Sequence, residues 1–185
     1  MALDSSNVNV AVTGAVSYAP VGTAAPTDAN TVLPATTWRD VGYLSSDGIT
    51  ETRDRSTNNV VAWQNAEVVR TVVTESSISV SFTMIESNPN SLELFYGTAV
   101  DDTDGSVTID PGETGGRRAI VVDYVDGDRY MRLFLPQAEV TEVGESSLTS
   151  GDPVGYEVTL TGYPDSALGY SAKKFHSDLV VAAGV

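Results

Sequence analysis

Between residues 77 and 85 the chain alternates without interruption: Ile78, Val80, Phe82 and Met84 fall on one side, Ser77, Ser79, Ser81 and Thr83 on the other. A helix would spread both sets around its circumference, whereas a strand sends successive side chains to opposite faces. The segment is therefore a β-strand with one face in a core and the other in solvent or lining a lumen. Period two, punctuated by 16 Gly and 8 Pro, recurs along the chain and predicts further strands at residues 40–46, 49–56, 60–64, 68–74, 119–125, 129–135, 138–143 and 156–163. Asp126-Gly127-Asp128 reads as a hairpin turn between two of them. One stretch departs from the period. Asn88, Pro89 and the run to Gly97 supply an N-cap, a proline for the first turn, good helix formers and a glycine stop. A short helix is expected there, packing through Leu92, Phe95 and Tyr96. The fold class is mainly β.

With 185 residues and 41% hydrophobic content, one domain with a real core is expected. Residues 1–37 carry only Asp4 and Asp28 as charges among Ala, Thr, Gly and three prolines, and read as an extended N-terminal arm with one possible strand near residues 10–18. Residues 38–185 form the β domain, with an exposed Asp- and Gly-rich loop at about 98–118 and a C-terminal tail at about 164–185. The N-terminus has no basic region followed by an apolar block, so no secretory signal is expected. The uncharged stretch 5–27 is broken by Asn, Ser, Thr, Pro and Gly and does not read as a membrane helix. A soluble protein made in the cytoplasm, without membrane insertion, is the expectation.

Charge then limits function. Ten Lys+Arg against 25 Asp+Glu give a net charge of −15, the wrong sign for a protein that grips phosphates through cations. The absence of Cys removes disulfides, thiolate nucleophiles and cysteine-held zinc. The one histidine, His176, has only sequence neighbours Ser177 and Asp178 for company, which does not make a triad. Ser171-Ala172-Lys173-Lys174 fits S-x-x-K but lacks its companion motifs, and no nucleophile elbow, zinc-helix or P-loop pattern occurs. Asp102-Thr103-Asp104-Gly105 imitates a calcium loop, but Val100 and Pro111 stand at its first and twelfth positions. Gly115-Gly116-Arg117-Arg118 reads as a flexible turn. No catalytic residue, metal site or cofactor is expected.

A resemblance joins these observations. Gly14-Ala15-Val16-Ser17-Tyr18-Ala19-Pro20, the run from Asp40-Val41-Gly42-Tyr43 to Gly48-Ile49-Thr50-Glu51, Ala62-Trp63-Gln64-Asn65-Ala66, Val69-Arg70-Thr71, Phe82-Thr83-Met84-Ile85-Glu86-Ser87 and Leu92-Glu93-Leu94-Phe95-Tyr96-Gly97 follow one another in order and spacing. Tyr156-Glu157-Val158-Thr159-Leu160-Thr161 and Tyr163-Pro164-Asp165 extend the series. Together they resemble the major tail tube proteins of long, non-contractile-tailed (siphovirus-type) bacteriophages, especially those of actinobacterial hosts. The resemblance implies a two-sheet β-sandwich or barrel with one flanking helix, and a structural virion protein without enzymatic activity. It implies hexameric rings stacked into a hollow tail tube that genomic DNA traverses without specific binding. It also implies partners: other copies of the chain, a tape-measure protein, a tail-tip initiator and a tail terminator.

Within that frame Ser77, Ser79, Ser81 and Thr83 are candidates for the lumen, being short, neutral and hydrated. Tyr18, Gly48, Arg53, Arg55, Trp63 and Arg70 are candidates for contacts between subunits or rings, the arginines through pairing with Glu51, Asp54 or Glu67 across the sheet or between chains. The competing reading is a monomeric β-sandwich recognition or adhesion module of a virion. A glycan hydrolase stands third, since no pair of carboxylates is singled out.

Overall fold

A computed structural model describes Leu3 and residues 7–179. In chain order the elements are β1 (Thr13–Pro20), β2 (Arg39–Asp40), β3 (Leu44–Val61), β4 (Val68–Met84), α1 (Pro89–Tyr96), β5 (Arg118–Asp126), β6 (Arg129–Val143), β7 (Tyr156–Gly162) and β8 (Lys173–His176). The strands form one antiparallel ladder in the order β2-β1-β5-β6-β7-β4-β3, with β8 branching from β6.

The two layers of the sandwich are thus halves of a single ladder, joined through β6. Its first half pairs with β5 and β8, its second with β7. Between them the register with β5 slips, Ile120 facing Leu135 but Arg118 facing Ala138. Pro136 and Gln137 there face the single residue Ala119, one residue too many; proline has no N–H to give a ladder, so the strand bulges and turns there. Val16, Ile120, Val122, Leu133 and Leu135 from one half then meet Val80, Phe82, Met84, Val158 and Leu160 from the other in one core. An ion pair from Glu51 on β3 to Lys174 on β8 ties the two layers across their open side.

Several strands expected as separate pieces are continuous. Segment 49–56 and the first two residues of 60–64 belong to β3, and 68–74 and 77–84 to β4. The gaps at 47–48 and 57–59 coincide with register slips at Leu44/Ile49 and Ser56/Thr57, and a third slip, Val60/Val61, falls inside the expected strand 60–64. Other expected boundaries shift. The segment 40–46 divides at Gly42, whose φ of 88° suits glycine and whose missing Cβ leaves room for the Glu86 carboxylate. Trp63 and Gln64 leave the strand for a turn completed by Asn65 and Ala66, both left-handed at φ 61° and 52°.

The helix forms as its ends dictate. Asn88 accepts from the N–H groups of Asn90 and Ser91 while Ser91 Oγ accepts from the Asn88 N–H, and Gly97 closes the helix at φ 74°. Leu94, rather than the flanking Leu92, Phe95 and Tyr96, is its fully buried apolar residue, beside the buried Ser91. Phe95 meets Tyr156 edge to face at 5.2 Å.

The N-terminal region does more than an arm would. Its strand, β1, lies inside the ladder between β2 and β5 and buries Val16 and Tyr18. Residues 21–38 then cross the outer face of the β5–β6 layer. Trp38 and Phe134 anchor a second apolar cluster there with Ala19, Ala119 and Val121, flanked by Ala25, Leu33, Tyr170 and Phe175. Arg132, 4% exposed, pins this strap: its Nε and Nη2 hold Asp123 at 2.6 and 2.9 Å while Nη1 donates to the carbonyls of Asp28 and Thr31. The expected C-terminal tail supplies β8 and Tyr170 to the same layer, and residues 180–185 lie outside the described ones.

Candidate assembly surfaces

The strand that opened the sequence reading buries the expected face. Val80, Phe82 and Met84 enter the core with Ile78 at their margin, leaving Ser79, Ser81 and Thr83 half-buried on the opposite side. Register extends that polar face sideways. Ser79 stands between Thr52 and Thr161, Ser81 between Thr50 and Thr159, and Thr83 beside Glu157. Ser81 and Thr159 share a hydrogen bond of 2.9 Å, as do Thr141 and Thr161. The result is a four-stranded hydroxyl surface over β3, β4, β7 and the second half of β6. Carboxylates from Asp54, Glu139 and Glu157 share it by register, Glu139 being 3.9 Å from Arg117. Ser77, opposite Asp54, is exposed at the edge of this surface and lines a recess of about 600 Å³ with Arg53, Arg55 and Ser171.

Beyond Thr52 the β3–β4 hairpin leaves the body of the protein, and both its strands are exposed along their length to the turn. Val60, Val61, Val68, Val69, Val72 and Val73 are all exposed on it, and Trp63 at its end is 99% exposed. A two-stranded hairpin with no covered face is marginal in water, so a surface of this kind is built for contact with another molecule. The sequence carries a signal for it: valine doublets at 60–61, 68–69 and 72–73 place an apolar side chain on each face of a strand. The sequence reading singled out Trp63, within the family resemblance, and passed over the valines.

The remaining candidates separate. Gly48, at φ 76° in the bulge between Leu44 and Ile49, lies at the open side of the sandwich, with open space where a Cβ would stand. Arg53, Arg55 and Arg70 are exposed on the hairpin, and among the described residues none of them makes an ion pair. Of the acidic partners expected for them inside the chain, Glu51 pairs instead with Lys174. Tyr18, expected at a subunit contact, is 2% exposed: its ring sits under Arg118 and Arg39 at 4.8 and 6.0 Å, and both guanidinium groups bond Glu93. Its own chain uses the aromatic face that a neighbour would need.

Among the described residues, the sheet that carries the hydroxyl face has two open edges. β3 has no partner opposite β4, and β6 from Val140 onward has none opposite β7. Between β1 and the start of β3 lies a groove of about 830 Å³ whose floor reaches Val80, Val122 and Leu133. Asp40, Glu51 and Glu86 stand among its lining residues. Hydrogen bonds from the Tyr43 N–H and the Asn88 side chain hold the Glu86 carboxyl below its ordinary range. Among the described residues no cluster of His, Cys, Asp or Glu could hold a metal ion, and no helix is long and apolar enough to cross a membrane.

Comparison with known families decides what these surfaces belong to. The model of the phage tail tube protein family matches residues 1–183. The chain belongs to the phage tail tube protein family. It is 32% identical over 146 residues to the major tail protein Gp23 of Mycobacterium phage D29, covering 72% of each chain. It is likewise 32% identical over 143 residues to major tail protein Gp23 of Mycobacterium phage L5, covering 69% of this chain and 70% of that one. Against solved structures the likeness is loose. A chain of a native gene transfer agent virion gives a TM-score of 0.41 at 11% identity, over 72% of this chain and 88% of that one. A chain of the anti-feeding prophage baseplate gives 0.45 at 11% identity, over 95% and 97%. This tail tube protein is a structural component of the virion tail and not an enzyme. Its work lies in association with other tail proteins.

Proposed function

We propose that this tail tube protein closes into hexameric rings by edge-to-edge strand pairing, that the rings stack into a hollow tube, and that genomic DNA passes through it. The carrying observation is that the hydroxyl face lies on a four-stranded sheet bounded by two open edges, β3 beyond Glu51 and β6 beyond Val140. A heterologous contact joining one copy's β3 edge to the next copy's β6 edge repeats around an axis until it closes, and closure removes both edges. Such a barrel carries the Ser79, Ser81, Thr83, Thr159 and Thr161 face on one side. Turned inward, it offers passing phosphates hydroxyls and carboxylates and few cations, in keeping with a net charge of −15. A tape-measure protein occupying the lumen during assembly, a tail-tip initiator and a tail terminator complete the proposed partners.

Negative-stain microscopy of the concentrated protein tests the assembly. Rings or hollow tubes support it, and monodisperse single chains across salt and concentration support a monomeric recognition module instead. In assembled particles Ser79→Lys with Ser81→Lys should slow DNA ejection, and ejection at the normal rate would show that this face is not the lining. The arm is tested by removing residues 1–8, which precede β1 and leave its core residues in place. The tail tube resemblance also gives the arm a bridging role between rings, and undiminished tube formation by that variant would exclude it.

A further inference from the structure

The sandwich is open along one side, where β1 and the start of β3 face each other without pairing. Thr13–Ala15 of β1 have no strand on the side away from β5, since β2 pairs only with Ser17 and Tyr18, and β3 has none on the side away from β4. The groove of about 830 Å³ between them has Val80, Val122 and Leu133 at its floor, Ala11 and Val12 on one wall and Leu44 and Ile49 on the other. An apolar trough flanked by two rows of unused backbone groups fits an extended segment with small apolar side chains, which can pair along the edges and bury what points down.

The chain carries such a segment and delivers it to this place. Leu179-Val180-Val181-Ala182-Ala183-Gly184-Val185 contains no charge in a chain of −15, and residues 180–185 lie outside the described ones. β8 ends at His176, shortly before them. Register lines up Gly14, Tyr124, Met131 and His176 in one row across β1, β5, β6 and β8. Paired residues share a face, here the one turned to the groove that Gly14 and Tyr124 line. Arg129, two positions before Met131 in β6, lies on that face too, and its Nη1 stands 2.7 Å from the Asn9 side chain and 4.0 Å from that of Asp178. At Asp178 the chain has therefore come back to the segment that leads into β1, just short of the groove wall at Ala11. Six extended residues reach about 20 Å, against about 13 Å for the wall of residues 11–15. His176 adds an unmet need, because its Nδ1 is buried and has no hydrogen-bond partner among the described residues. Residues before Asn9 lead the other way, past the β5–β6 turn, since Asp126 and Val125 hold the N–H groups of Val10 and Val12.

We infer that residues 180–185 seat in the groove between β1 and β3 of their own chain, as an added strand that closes the open side of the sandwich. The valines and alanines of the segment cover Val80, Val122 and Leu133, and one of its backbone groups meets His176 Nδ1. The seat does not depend on the ring proposed above, but it sharpens it. With this side filled, the edge of β3 beyond Glu51 and that of β6 beyond Val140 remain open to a neighbour.

The chain has no cysteine, so Ala183→Cys gives a single attachment point for a nitroxide. In dilute, dispersed protein the label should broaden the NMR signals of Ala11, Val12 and Ile49 and spare those of Thr141 and Thr161 on the hydroxyl face. Mixing spin-labelled chain without isotope enrichment and enriched chain without the label should leave all of these signals sharp. Val180→Asp with Val181→Asp puts a carboxylate on each face of the segment, and a chain stopped at Leu179 lacks the segment altogether. Both variants should speed amide exchange of residues 11–15 by about tenfold or more, with the exchange of β6 and β7 unchanged. Broadening confined to the mixed sample would give the groove to the segment of a second copy and overturn the proposal. Sharp signals at Ala11, Val12 and Ile49 in both samples, or unchanged exchange in both variants, would overturn it as well, and none of these results bears on whether tubes form.

Discussion

Two hairpins of similar construction meet opposite fates in this molecule. β5 and β6 are joined by a tight turn at Asp126-Gly127-Asp128, and their layer is covered on both sides, by the central core and by the strap anchored at Trp38 and Arg132. β3 and β4 are longer, yet past Thr52 neither face is covered. Backbone pairing is equally regular in both, so hydrogen bonds alone do not decide which hairpin a single chain can hold in place. Burial does. The covered hairpin draws its stability from its own chain, and the bare one leaves its apolar surface exposed.

That contrast is open to attack by mutation. The largest effect is expected at the centre of the covered layer, where Phe134→Ala should cost the dispersed subunit about 3–5 kcal/mol, read by chemical denaturation. Arg132→Met should come next at about 2–3 kcal/mol, since it strands Asp123 and two strap carbonyls. Its strap should also exchange amide hydrogens faster. On the bare hairpin, Val72→Ser with Val73→Ser should change subunit stability by less than about 0.5 kcal/mol yet raise the concentration at which particles first appear. A loss of subunit stability comparable to that of Phe134→Ala would abolish the distinction.

The smallest effect concerns pH. The Asp28 carboxyl is lowered to about 2 by bonds from the Thr31 N–H, the Thr31 hydroxyl and the Asn30 N–H. A folded value below the unfolded one of about 3.9 stabilises the strap above that pH, and the contribution fades as pH falls toward 2. Asp28→Asn should flatten the acid limb of strap stability in that window, measured by hydrogen exchange, without moving the exchange of β3 and β4.

Much of this was readable in advance, and the misses share a cause. Alternation from Ile78 to Met84 and the Asn88 to Gly97 capping pattern are local, and local rules predicted both. The same rules cut β3, β4 and β6 into pieces, because a bulge interrupts alternation in the sequence while the ladder carries on in space. Residues 1–37 looked too poor in apolar groups to fold, and alone they are. β1 and the strap fold by covering surfaces that other segments provide, Phe134 and Val121 above all. Arg132 gave no sign of its role, since only the register that sets it opposite Asp123, and the strap beyond, turn an isolated cation into a latch.

For the assembly surfaces the same division holds. Composition and period determined a cysteine-free, acidic β protein with a serine and threonine face and no chemistry of its own, because charge, side-chain type and strand period are properties of the chain whatever it packs against. Tertiary structure decided that Tyr18 is spent inside the subunit, that the hydroxyls of four strands merge into one face, and that Trp63 stands bare at the end of a projecting hairpin. Those outcomes depend on which segments come to lie side by side, and burial, register and open edges exist only once they do.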